Sequence, residues 1–147
     1  MKNKQIKKAF TMIELVFVIV IIGILASVAV PRLAATRDDA EITKARTLVA
    51  SIRNAISIER QKRILRGNFT AITAVGDSTN VFSYFDNNSS QEDVLEYPMA
   101  SNSHKGHWEY ISGKYVFHGL SDVEFQVAGG KFVCVTPSAQ NCKQLTN

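Results

Sequence analysis

The sequence lacks the short motifs that carry catalysis. In 147 residues there is no glycine-rich phosphate loop and no G-x-S-x-G turn. Its two thiols, Cys134 and Cys142, stand eight apart near the C-terminus and read better as a disulfide than as nucleophiles. His104 and His107, in "HKGH", have no second ligand pair or acidic cluster at metal-binding spacing, so a solvated loop is the reading and no metal or cofactor is expected. No internal repeat or low-complexity tail is present. These absences argue against an enzyme, and no catalytic residue is assigned.

An excess of one charge is also missing once the first nine residues are set aside. The formal net charge is +4, but Lys2, Lys4, Lys7 and Lys8 all precede residue 10. Beyond Ala9, thirteen basic side chains balance thirteen acidic ones. A body without basic excess gives no reason to expect a nucleic-acid partner. Lysines ahead of an apolar run mark the cytoplasmic side of a membrane, which places the residues beyond the run outside. A bacterial exterior is oxidising, so Cys134 and Cys142 are expected to pair.

Charge of either sign is nearly absent from residues 10–30, "FTMIELVFVIVIIGILASVAV", where Glu14 stands alone. As a helix this run reaches about 31 Å, the thickness of a bilayer core. Fourteen of its residues are Leu, Ile, Val or Phe, together worth about 4 to 8 kcal/mol in favour of insertion. A carboxylate near one end does not cancel that gain, so the segment is expected to span a membrane. An intramembrane carboxylate is nevertheless a standing cost, and by default it is functional, with a partner to be named. Gly23 and Pro31 bracket a stretch expected to soften the helix, since Pro31 cannot donate to the carbonyl of Ser27.

Residues 31–66 read as an amphipathic helix, with Ile42, Ala45, Leu48, Val49, Ile52, Ala55 and Ile56 at three- and four-residue spacing. Arg60, Lys62, Arg63 and Arg66 crowd its far end, where they suit the negative end of the helix dipole, and Gly67-Asn68 supplies the stop. Residues 67–147 carry strand signals. "HWEYI" and "KYVFH" flank Ser112-Gly113, and "VEFQV" and "KFVCV" flank Ala128-Gly129-Gly130, predicting a meander of three or four antiparallel strands. One face of it should show Trp108, Tyr110, Tyr115 and Phe117, and Val123, Phe125 and Val127 should share a face. Such a sheet needs the helix as its second layer, so the fold class is α+β. Residues 68–106 are poorly legible: "VFSYF" fits a short helix or a strand, and "DNNSSQED" a polar loop. Asn68 and Asn88 lie in N-x-[ST] contexts, a pattern frequent by chance.

The apolar run admits two ordinary explanations. A secretory signal peptide would be cut near Ala29 and would discard Glu14. A plain single-pass anchor of a periplasmic binding module would keep Glu14 without using it.

A third explanation is a resemblance. "AFTMIELVFVIVIIGILASVAVP" closely resembles the N-terminus of type IV pilins and type II secretion pseudopilins, through Phe10, Thr11, Glu14, Gly23 and Pro31. It covers roughly residues 7–40. The resemblance implies a leader over residues 1–9 that prepilin peptidase removes between Ala9 and Phe10, with N-methylation of Phe10. Ala9 is a departure, since the family usually has Gly there. The resemblance further implies that Glu14 pairs with the terminal amine of Phe10 in a neighbouring copy. It implies a pilin-like architecture: an assembly helix over 10–30, an amphipathic helix over 31–66 and a globular head over 67–147. The implied partners are copies of the chain and other pilin-like subunits, the peptidase, an inner-membrane assembly platform, and membrane lipid before assembly. The implied location is the bacterial inner membrane, with the N-terminus cytoplasmic and the head periplasmic, and then a periplasmic or surface filament serving secretion, DNA uptake, adhesion or motility.

Overall fold

A computed structural model describes residues 10–88, 90 and 92–146; Ala9 and the lysine leader lie outside the described residues. The fold is α+β: one long helix, α1 (Met12–Leu65), two small antiparallel sheets and a short C-terminal helix. The chain divides into two compact units, one up to Arg37 and one from Asp38 onward.

In the first unit α1 is helical through both Gly23 and Pro31. Every side chain described from Phe10 to Leu33 is exposed, and an 18-residue window reaches a mean hydropathy of 2.9, long and apolar enough to cross a membrane. Among the described residues nothing covers this surface. A contiguous apolar surface of that extent marks contact with lipid or with another chain.

In the second unit the predicted stripe is the buried one. Ala45, Val49, Ile52 and Ile56 are buried, with Ile42, Leu48 and Ala55 partly so. The stripe continues through Glu59 and Arg63, which are 3% and 6% exposed. Arg63, one of the four cations at the helix end, is therefore part of the buried face. The helix stops in a Schellman arrangement: the Asn68 amide donates to the Arg63 carbonyl at 2.8 Å and the Gly67 amide to Ile64 at 3.0 Å, with Gly67 at φ 76°.

The expected meander is a four-stranded sheet of β4 (Trp108–Ile111), β5 (Lys114–Phe117), β6 (Val123–Ala128) and β7 (Lys131–Cys134), in that order. Ile111 pairs with Lys114, and Ala128 with Lys131, so both hairpins close on two residues. Ser112, Gly113, Gly129 and Gly130 all have positive φ, the conformation that matches the twist of two-residue turns. Trp108 lies opposite Phe117, Tyr110 opposite Tyr115, and Tyr115 opposite Phe125. The aromatic face predicted for these strands is thus one continuous face.

The illegible stretch forms a second sheet, β1 (Val75–Gly76), β2 (Asn80–Phe85) and β3 (Met99–Ala100), ordered β1-β2-β3. "VFSYF" is strand. Its Phe82 is fully buried and stacks on Tyr115 with ring centroids 5.4 Å apart. Phe82 holds φ at 59°, opposite a register shift at Val75/Gly76, a conformation an aromatic residue keeps only where packing enforces it. The Tyr115 hydroxyl ties the two sheets together, accepting from the Val75 amide at 2.8 Å and donating to the Gly76 carbonyl at 3.1 Å. Burial pushes the Tyr115 phenol up to about 12.

The chain ends in α2 (Gln140–Thr146), an element without a sequence signal strong enough to announce it. A disulfide between Cys134 and Cys142 ties it to β7, Cys142 and Leu145 are buried, and the Arg46 guanidinium donates to the Gln144 carbonyl at 2.8 Å. Cys142→Ser is expected to lower the stability of a fragment beginning at Asp38 by about 2 to 4 kcal/mol. Urea midpoints measure this, and equal midpoints for oxidised and reduced wild type would contradict it.

Candidate functional site

The site begins where α1 begins. Thr11 precedes the first helical residue, and Glu14 is the third residue within it. The Thr11 amide and hydroxyl both donate to Glu14 Oε2 at 2.8 Å, and the Glu14 amide approaches Thr11 Oγ1 at 3.3 Å. This reciprocal arrangement is a capping box, which satisfies amide groups that a helix start leaves unpaired. Glu14 therefore has a local task besides any intermolecular one. Charge alone does not reveal that task, but the Thr11-x-x-Glu14 spacing ahead of an apolar run does.

The cap occupies one carboxylate oxygen. Glu14 Oε1 has no hydrogen-bond partner among the described residues, and Phe10, one turn away, is exposed. The geometry thus presents an anion with an open oxygen at the end of an uncovered apolar helix. Gly23 and Pro31 lie further along the same helix; a side chain at Gly23 would meet nothing within 4 Å. One turn before Pro31, the Ser27 hydroxyl donates to the Ile24 carbonyl at 2.7 Å.

The remaining candidates lie in the head. Cys134 and Cys142 are joined, as described. Asn68 and Asn88 each fold onto their own turn, accepting from the amides of Thr70 and Ser90 at 2.9 Å. His104 packs against Asn102 and His107 against the Lys105 carbonyl. Among the described residues no group of three or more His, Cys, Asp or Glu side chains could hold a metal ion. His118, silent in the sequence, sets its two ring nitrogens 3.0 Å from Glu109 and Asp122, tying the start of the β5–β6 connection to β4.

The sequence also conceals an ion cluster. Arg63 Nε donates to Glu59 at 2.8 Å and Arg63 Nη1 lies 2.7 Å from Asp86, whose other oxygen accepts from the amide and hydroxyl of Thr73. Its signal was the stripe itself, because steps of four and three from Ala45 through Val49, Ile52 and Ile56 lead on to Glu59 and Arg63. Burial acts to raise the Asp86 pKa, but the Thr73 and Arg63 hydrogen bonds outweigh it and hold the carboxyl below its ordinary value.

The family described as the prokaryotic N-terminal methylation motif matches residues 4–30. The chain carries that motif. Among curated proteins, it is 47% identical over 51 residues to the type IV narrow pilus major component PilA5 of Thermus thermophilus, a match covering 35% of this chain and 44% of the relative. It is 38% identical over 58 residues to type II secretion system core protein G of Vibrio cholerae, covering 40% of each. The chain thus spans less than half the length of these relatives. No solved structure matches it. The methylation motif contains Ala9, Phe10 and Glu14, so the capped carboxylate and the open apolar helix lie within the matched segment.

Proposed function

We propose that this protein is a structural subunit of a type IV pilus-like filament or a type II secretion pseudopilus, not an enzyme. The observation that carries the reading is Glu14, a carboxylate with one oxygen uncommitted at the start of an apolar helix that nothing covers among the described residues. In a bundle of such helices the apolar faces cover one another, and no hydrocarbon meets water when a subunit leaves lipid. The amine of Phe10 in a neighbouring copy supplies the counter-ion that Glu14 needs in apolar surroundings.

On this reading prepilin peptidase cuts between Ala9 and Phe10, and the new terminus is methylated. The subunit waits in the inner membrane, head outward, until an assembly platform passes it to the filament. Gly23 and Pro31 let the helix relax as its surroundings change. The mass of the mature N-terminus tests this directly. Ala9→Gly is expected to process as well as wild type or better, and Ala9→Leu to remain uncut, because a bulky side chain before the scissile bond does not fit where a small one is required. Gel mobility reports the difference, and normal processing of the Leu variant would remove the assigned cut.

A second reading is a membrane-anchored periplasmic binding module. The capping box favours it, since a cap gives Glu14 a use that needs no second copy.

A further inference from the structure

Between the outer part of α1 and the β6–β7 turn lies an open groove of about 630 Å³. Its floor is apolar, built from the buried Ile56 and Phe132, and three cations line it: Arg53, Arg60 and Lys131. Arg53 donates to the Phe132 carbonyl at 3.1 Å and Arg60 to the Gly129 carbonyl at 3.4 Å. Gly130 comes so close that a Cβ there would sit 2.8 Å from Arg60 Nη1. Elsewhere in the head, Lys62, Arg63, Arg66, Lys105 and Lys114 are all paired with carboxylates. Among the described residues no carboxylate pairs with Arg53, Arg60 or Lys131. A groove with an apolar floor and three uncompensated cations suits a partner that carries carboxylates around an apolar or aromatic side chain.

We infer that the groove receives the acidic loop Glu92–Tyr97 of a second copy, with Asp93 and Glu96 meeting its cations and Tyr97 its floor. The inference rests on the filament-subunit reading and gives it a second contact, in the head. The loop is pinned to the core by the buried Val94 and the half-buried Leu95, while Asp93 and Glu96 are exposed and Tyr97 is 79% exposed. Neither Asp93 nor Glu96 has an ion-pair partner among the described residues.

Position decides between a contact within one chain and a contact between copies. Glu92 anchors the loop to Lys62 and Arg66. At 100° per residue those positions project from α1 about 130° away from the face that carries Arg53, Ile56 and Arg60. One copy's loop therefore faces away from its own groove. A patch and its complement on opposite flanks make a heterologous contact, which repeats into an open helical array instead of closing a pair.

Charge exchange in the full-length chain tests the contact. Lys131 is exposed and its side chain makes no hydrogen bond or ion pair among the described residues, so Lys131→Glu leaves the fold intact. Lys131→Glu and Glu96→Lys are each expected to lower sheared-filament yield at least about tenfold at unchanged membrane level. The double variant is expected to recover to within about threefold of wild type, as coupled partners do. Arg60→Gln, which removes the charge and keeps a polar end on a shorter side chain, is expected to lower yield in the same direction. Single variants that assemble normally overturn the contact. So does a double variant no better than the worse single, which would assign the groove to another anion, such as a lipid headgroup. Wild-type filaments without rescue remove this contact alone, whereas absence of wild-type filaments removes the subunit reading and the contact with it.

Discussion

Glu14→Val is expected to reach the membrane at least as well as wild type and to yield filaments at least about a hundredfold less. Replacing a carboxylate by an apolar group lowers the cost of insertion, so abundance in the membrane fraction does not fall. Assembly is another matter. Each subunit added would bring a Phe10 amine into an apolar bundle without its counter-ion, and removing one partner of a buried pair penalises the partner that remains. The penalty recurs at every subunit, so growth stops instead of slowing. Sheared-filament yield against membrane level, in one strain, is the measurement.

The capping box complicates that experiment, and it also supplies the control. Val removes the cap as well as the charge, because it cannot accept from the Thr11 amide and hydroxyl. Glu14→Gln keeps an acceptor at the right position, and Gln serves in a capping box nearly as Glu does, but it carries no charge for an amine. If ion pairing between copies is the task, Gln assembles as poorly as Val. If the cap is the task, Gln assembles normally, and the pairing of Glu14 with a neighbouring amine falls while the subunit reading stands. Asp keeps the charge on a shorter side chain and is expected to restore assembly only in part.

Sequence is legible where the forces that set structure act locally. The stripe from Ile42 to Ile56 and the hairpins around Ser112-Gly113 and Ala128-Gly129-Gly130 were legible, because period and turn chemistry are set by near neighbours, although Ala128 belongs to β6 and not to the turn. β1, β2 and β3 were not, since two of these strands are two residues long and the third bends at Phe82, whose conformation depends on Tyr115 and Trp108 far along the chain. α2 escaped for a similar reason: seven residues do not make a stable helix alone, and its hold is the disulfide and the burial of Leu145. At the site, the carboxylate at Glu14 was visible as an anomaly of composition. That one of its oxygens is committed to Thr11 and the other is not required the geometry of the helix start.

Arg63 carries the largest stability effect expected in the head. It looks from sequence like one of four cations at a helix end, yet it is buried, with Glu59 on its own helix and Asp86 after β2 as its anions. Arg63→Ala leaves Glu59 as a buried charge without its cation and is expected to cost about 3 to 5 kcal/mol. Removing both members of the helical pair is expected to cost much less. Glu59 Oε2 and Arg63 Nη2 are already buried without hydrogen-bond partners among the described residues, so the pair is an expensive one, and apolar side chains of similar volume suit the stripe. Asp86 keeps the amide and hydroxyl of Thr73 in that double variant. Urea unfolding of a fragment beginning at Asp38 should therefore rank wild type, Glu59→Leu/Arg63→Met and Arg63→Ala in falling order. A double variant less stable than the single would show that the cluster holds the head together, not merely that it must not be broken. Acid supplies an independent check. The carboxyl of Asp86 is held below its ordinary value, so its contribution is complete above the unfolded value of about 3.9 and fades as pH falls through the folded one. Wild type should accordingly lose stability on acidification below about pH 4 more steeply than Arg63→Ala, which has already lost the guanidinium that helps to hold Asp86 ionised.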